Sequence, residues 1–245
     1  MKEWVFGRNP VYEVLRAQRR RVFRLLVAEG VQEKGRLVEI LRLASQRKVP
    51  VERAPRARLE ALVNEHQGVA LETSDYPYST LLDILDLAES RQELPFVLIL
   101  DTLQDPQNLG TLLRTGEIVG IHGVLLPFRH TATVTPAVVS ASSGASEHLL
   151  IAQSNLAQAI AQLKEAGVWV IGLESGPAAQ SVETVNLEGS LAVVVGSEGE
   201  GMRPLVAKSC DLRMHLPMRG DTGSYNAAVA GSIVLYLAWQ ARKYQ

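Results

Sequence analysis

From Phe96 onward the chain repeats one pattern, in which a run of uninterrupted apolar residues is followed by a helical stretch and then by another such run. The runs are "FVLILD", "GVLLP", "HLLIA", "VWVIG", "LAVVV" and "LRMHLP". A strand with one wet face alternates apolar and polar residues, so runs this continuous need cover on both faces, as in a parallel sheet between two layers of helices. The sequence therefore predicts an α/β domain over residues 95–245. Ligands of such sheets bind at the carboxyl ends of the strands. Three polar, glycine-bearing segments fall there: "DTLQDPQNLGTLLRTG" after the first run, "GSEGEGM" after the fifth and "PMRGDTGSYNAAVAG" after the sixth.

The earlier residues read as shorter elements. Residues 9–73 give a helix from Pro10, a strand "VFRLLVA", a helix around "GRLVEILRLASQRK", a short strand near Val51, a helix "RARLEALVNE" and a strand "GVALET". These predict a small α/β domain over residues 1–73, with residues 74–94 as a linker that holds "TSDYPYS" and a helix "TLLDILDLAES". Charge is divided unevenly within the net −1: residues 1–75 hold 15 Lys and Arg against 10 Asp and Glu, and the remainder holds 10 against 16. "RAQRRRVFRL", residues 16–25, concentrates five arginines and is a candidate contact for a polyanion.

Composition excludes several classes. The chain of 245 residues is 47% apolar, enough for packed cores, yet no apolar run approaches the ~18 residues of a membrane span. The start, "MKEWVFGRNP", has no signal-peptide character, so a soluble, cytoplasmic protein is expected. The single cysteine, Cys210, excludes an internal disulfide and reads as a packing residue. The five histidines are dispersed without metal-ligand spacing, and no metal is expected.

"GSEGEGM" superficially resembles a nucleotide loop. Its GxxGxG spacing matches neither the dinucleotide fingerprint nor the phosphate loop, and Glu198 and Glu200 would repel a phosphate. The loop suits a ligand that is neutral or cationic where it faces the loop. In the first segment Asn108 reads as a helix cap, with the helix running from about Leu109 to Val119. Arg114, roughly 9 Å of rise beyond Asn108, can lean back toward the site and offer a planar fork to a phosphate. In the third segment Ser224 and Asn226 precede a helix built largely from Ala227, Ala228, Ala230, Gly231 and Ser232. The run "GDTGSYN" before it offers amides and carbonyls suited to an amino acid or an adenine.

In this order the three segments resemble the motifs of the SpoU (TrmH) family of RNA 2'-O-ribose methyltransferases. The first is matched by Asn108, Leu109, Gly110, Arg114 and Thr115, and the second by Gly196, Glu198, Gly199 and Gly201. The third is matched by Pro217, Met218, Gly220, Ser224 and Asn226, while Tyr225, Ala227 and Ala228 stand where the family has leucine, valine and often serine. "VFGRNPVYEVL" and "EHQGVAL" are similar to the family's amino-terminal substrate domain.

The resemblance implies a SPOUT-type parallel sheet flanked by helices, with a carboxyl-terminal trefoil knot, and a small amino-terminal L30e-like α/β domain. It implies S-adenosyl-L-methionine as cofactor and a homodimer formed through the knotted domain, with no membrane or metal partner. On that resemblance Gly196, Leu216 and Tyr225 contact the cofactor mainly through backbone, and Met218 and Asn226 line the same pocket. Arg114 holds the phosphate beside the target ribose, Glu198 orients Arg114 or organises its own loop, and Asn108, Ser224 and Asn226 hydrogen-bond the ribose, the cofactor or each other. Arg8, Asn9, Arg19, Arg20 and Arg21 are the expected RNA phosphate contacts.

The layout is most like that of enzymes acting on a guanosine of the peptidyl-transferase P loop in 23S rRNA. Relatives acting on tRNA or on other rRNA sites share the motifs. Two further readings stand beside these: a non-catalytic RNA-binding protein of the same fold, favoured only by the altered third motif, and a nicotinamide-dependent oxidoreductase, opposed by the glycine spacing and the acids of "GSEGEGM".

Overall fold

Packing divides the chain into two units, Met1–Pro77 with Thr133–His148, and Tyr78–Ala132 with Leu149–Gln245. The structure is a computed structural model and describes residues 2–63, 65–174, 176, 179–197, 199–221 and 223–243.

The first unit contains β1 (Lys2–Phe6), α1 (Arg8–Ala17), β2 (Val22–Ala28), α2 (Arg36–Gln46), β3 (Val51–Ala54), α3 (Arg56–Glu60) and β4 (Val69–Ser74). Its sheet has the order β1-β4-β2-β3, and only β2 and β3 run parallel. α1 buries Val11, Val14 and Leu15, and α2 buries Leu37, Ile40 and Ala44, each a stripe at helical spacing. Leu59 of α3 packs with Leu26, Ala28, Ala54 and Ala70. α3 is shorter than "RARLEALVNE" predicts, because Leu59 is the one residue it buries. β1 escaped the sequence reading: it is a five-residue edge strand whose burial does not alternate.

The second unit starts with α4 (Leu81–Arg91), β5 (Phe96–Leu100), α5 (Pro106–Ile118) and β6 (Gly123–Pro127). The chain then contributes α6 (Pro136–Ala141) and a short turn of helix, Ala145–His148, to the first unit. It returns as β7 (Leu150–Ser154), α7 (Leu156–Glu165), β8 (Trp169–Leu173), β9 (Gln180–Ser181), β10 (Leu191–Val195), α8 (Pro204–Ser209), β11 (Leu212–His215) and α9 (Ala227–Ala241). Its seven-stranded sheet has the order β7-β6-β5-β10-β8-β11-β9 and every pairing is parallel.

The continuous apolar runs are buried as expected, with β5, β6 and β10 inaccessible at every position. Ile84 of α4, Leu156, Ile160 and Leu163 of α7 and Val206 of α8 cover one face. α5 and α9 pack together on the other, where a Cβ on Gly231 would press on Leu112 and Val195. After β11, Leu216 and Ser224 to Asn226 line one cavity with Leu173 of β8 and Val195 of β10, and α9 follows; the resemblance assigns a knot to this stretch. Among the described residues, no helix is long and apolar enough to cross a membrane. Cys210 packs against the core, and burial pushes its thiol up to about 12.

Segment 133–148 is held to the first unit by buried charge. Arg20 follows α1, and its Nε and Nη2 each donate to a Glu147 carboxylate oxygen at 2.8 Å. Its Nη1 donates to the Ser74 carbonyl at 3.2 Å and pairs with Glu3. Burial alone would lower the Arg20 pKa, but Glu147 and Glu3 outweigh it and the value is raised. Tyr76 donates to the Ser146 carbonyl at 3.2 Å and accepts from Arg19 Nη1 at 2.9 Å. His148, read from sequence as the start of a strand, instead meets Glu13 through Nε2 at 2.7 Å, and β7 begins at Leu150.

Candidate functional site

The carboxyl ends of β8, β10 and β11 open onto a cavity of about 490 Å³. Leu173 and Glu174 line it from β8, Gly196, Ser197, Gly199, Glu200 and Gly201 from the loop after β10, His215 and Leu216 from β11, and Ser224 to Asn226 from the segment entering α9. The β10 loop is closed on itself, since Ser197 N donates to Gly201 O at 3.0 Å and Gly201 N donates to Ser197 O at 3.1 Å. Its glycines serve that closure. A Cβ on Gly196 would overlap the backbone of Gly201 and Met202, while Gly199 and Gly201 adopt left-handed φ of 85° and 70°.

A second cavity of about 720 Å³ shares Ser197, Glu200 and Gly201 with the first and lies toward β5 and α5. It is walled by Thr102 to Asp105, Asn108, His130 and Arg203. Asn108 is buried and its Oδ1 accepts from Asn226 Nδ2 at 3.2 Å. Asn226 caps α9, its Oδ1 accepting from Ala228 N at 2.9 Å and Val229 N at 3.1 Å. One side chain thus starts a helix and ties the third segment to the first.

Several expectations change. Asn108 is not a helix cap: α5 starts three residues earlier than expected, at Pro106, because Asp105 accepts from Gln107 N at 3.0 Å and proline is preorganised for a first helical position. Ser224, Tyr225, Asn226, Leu216 and Gly196 all line the first cavity, whereas Met218 is exposed and does not. The Tyr225 hydroxyl donates to the Pro217 carbonyl at 3.2 Å, so the ring that replaces leucine braces its own segment. Arg114 is exposed on α5. Glu198 lies outside the described residues.

The expected RNA contacts separate. Arg20 is 2% exposed and fully engaged with carboxylates and a carbonyl, which removes it from the phosphate contacts. Arg19 donates to Tyr76 and to the Pro77 carbonyl. Arg8 donates to the Gln67 carbonyl, and Asn9 accepts from Arg36. Arg21 is exposed and lies over the Phe23 ring, which Lys2 also approaches.

Sequence reading missed Asp101 and Arg203. Asp101 is completely buried at the carboxyl end of β5, where Oδ2 accepts from Arg203 N and Oδ1 from Arg203 Nε, each at 2.7 Å. This pair fixes the end of the β10 loop against the strand that leads to Asn108. The available signal was a carboxylate directly after five apolar residues. Glu174, which accepts from Arg213 Nη1 at 2.9 Å, had no motif to mark it.

This fold and site belong to a known class. The profile of the SpoU rRNA methylase family matches residues 95–236, and that of the RNA 2'-O ribose methyltransferase substrate-binding domain matches residues 4–79. The chain is 38% identical over 244 residues to a Bacillus subtilis (strain 168) protein whose name places it in the TrmH family of tRNA/rRNA methyltransferases, covering 98% of this chain and 96% of that one. Its fold is similar to that of the SpoU methyltransferase AviRb from Streptomyces viridochromogenes in complex with S-adenosylmethionine, with a TM-score of 0.79 at 21% identity, covering 100% of this chain and 92% of that one. An S-adenosylmethionine-bound rRNA methyltransferase from Sinorhizobium meliloti superposes with a TM-score of 0.78 at 21% identity over 98% and 87% of the two chains. The protein is a member of the SpoU family of RNA methyltransferases.

Proposed function

We propose that the protein methylates the ribose 2'-hydroxyl of a guanosine in RNA, using S-adenosylmethionine, and that its substrate is the peptidyl-transferase P loop of 23S rRNA in the cytoplasm. The observation that carries this reading is the convergence of all three segments on adjoining cavities, joined by the Asn108–Asn226 hydrogen bond. The first cavity fits the cofactor in size and in charge. Small-molecule sites of about 300–1,000 Å³ are usual, and Glu174 and Glu200 supply negative charge with no Lys or Arg among the described lining residues. When bound, the cofactor supplies an electrophilic methyl group on a cationic sulfur. The rRNA assignment rests on the family description and on the two-unit layout.

The chain's own residues do the positioning. Asn226 holds the third segment against α5, and the closed loop from Ser197 to Gly201 forms a wall shared by both cavities. Ser224 and Asn226 present polar groups to the first cavity. Arg114 clamps the phosphate next to the target ribose. A guanidinium does not give up its proton in proteins and is therefore a poor proton acceptor, so the clamp suits it better than the role of base. Glu198 is assigned to orienting Arg114. On α9, Val229, Ile233 and Tyr236 are exposed at helical spacing, an apolar stripe that supports pairing with a second copy.

The test is ribose-methylation mapping of total RNA with and without the gene, combined with turnover of Arg114→Ala on that RNA. One guanosine should lose its mark, and the variant should bind S-adenosylmethionine normally while transferring methyl groups about a hundredfold more slowly. A mark that persists without the gene, or near-normal turnover of the variant, overturns the reading.

A further inference from the structure

A third opening lies beyond the second cavity and shares His130 and Arg203 with it. This groove of about 450 Å³ runs between the loop after β6 and the start of α8. Phe128 and Leu205 flank it and are 66% and 65% exposed, and because both line one groove they form a shared apolar patch rather than scattered single side chains. Arg129 and His130 are exposed beside Phe128, and Arg203 retains 45% side-chain exposure despite its pair with Asp101. Among the described residues, no carboxylate lines the groove. Ser154 also lines it, and its shielded Oγ has no hydrogen-bond partner among the described residues.

The geometry points to a binding site for unpaired RNA next to the target nucleotide, with one base stacked on Phe128 and its phosphate held by Arg129. This rests on the methyl-transfer reading for its direction, since the groove continues outward from the cavity that Asn108 lines. A base offers a flat π-face to an aromatic ring and a phosphate to an arginine, and stacking requires that the base be unpaired. Duplex RNA, whose bases are stacked on one another, would leave Phe128 uncovered. A protein partner would use the apolar pair but has no general need for the two arginines and the histidine.

The experiment uses the full chain and two fluorescein-labelled probes of about twelve nucleotides, oligoadenylate and a fully paired RNA duplex, read by fluorescence anisotropy. Phe128→Ala and Phe128→Leu should both weaken oligoadenylate binding about tenfold, and Phe128→Trp should keep it, because the leucine retains apolar area but loses the π-face. Duplex binding should be unchanged in all three. Equal affinities across the series overturn the assignment, as does a loss in Phe128→Ala that Phe128→Leu restores. A change in oligomeric state by light scattering with oligoadenylate affinity intact makes the patch a protein contact, and the assignment again falls. Calorimetric titration with S-adenosylmethionine on the same preparations separates the two readings. Absence of cofactor binding in the unmodified protein defeats the methyl-transfer reading while the stacking result stands or falls on anisotropy alone.

Discussion

Residues 16–25 carry five arginines and the groove beside Phe128 is lined by two, yet each set presents one exposed arginine, Arg21 and Arg129, that pairs with no acid among the described residues. In the first unit Arg16 meets Glu13 at 3.1 Å, Arg20 is enclosed by Glu147 and Glu3, and Arg24 lies 2.9 Å from Glu72 and 3.4 Å from Glu52. Arg19 is taken up by Tyr76 and a carbonyl, which leaves Arg21 as the exposed member that faces a ring rather than an acid. In the second unit Arg203 is likewise paired, with Asp101, while Arg129 is exposed beside an opening that no carboxylate lines among the described residues. An excess of positive charge along the sequence therefore measures how many arginines must be accommodated. Their partners decide how many face a polyanion.

The largest test of this contrast is Arg20→Ala, which strands the Glu147 carboxylate in the interior and should reduce unfolding free energy by on the order of 3–5 kcal/mol in urea denaturation. A loss below about 1 kcal/mol would place Arg20 among the surface arginines. An intermediate case is His122, a basic side chain kept inside without charge. Its Nδ1 accepts from Phe96 N at 2.9 Å and Nε2 lies 3.0 Å from Glu93. Burial lowers its pKa from the ordinary 6.5, with Glu93 opposing. The unfolded chain therefore takes up a proton before the folded one does. The contribution is fully present above about pH 6.5 and is lost as pH falls toward the lowered folded value, by at most about 1.4 kcal/mol per pH unit. Stability profiles between pH 8 and 5 for the unmodified protein and His122→Gln should converge as pH falls, and parallel profiles would show that another group titrates. The smallest effect belongs to Arg21→Ala, which should leave stability within about 0.5 kcal/mol and reduce the slope of log affinity for RNA against log salt by about 0.7–0.9. An unchanged slope would remove Arg21 from the phosphate contacts.

The same contrast explains what could be read in advance. The parallel sheet was legible because "FVLILD", "GVLLP" and "LAVVV" are apolar at consecutive positions, a local property that burial on both faces imposes. The cavity at the strand ends followed from that topology, and Gly196 and Asn226 were found through the motifs they sit in. The start of α5 differs from the sequence reading because Asn108 has the chemistry of a cap, whereas Asp105, three residues earlier and followed by a proline, is the residue that caps the helix. β1 is too short and too marginal to show a period. Arg20 was misread for a different reason: its partner Glu147 lies 127 residues away, and no local pattern links them. Asp101 and Arg203 are separated by 102 residues and escaped for the same reason.

The return of residues 133–148 to the first unit means that the backbone passes between the units three times, after Pro77, Ala132 and His148. No single cut frees either unit whole. A fragment ending in the segment 74–94 would expose the site that Ser146 and Glu147 cover on Arg20 and Tyr76, and the complementary fragment would carry an orphaned insertion. Exchange of the amino-terminal portion between relatives must therefore move two stretches of sequence together.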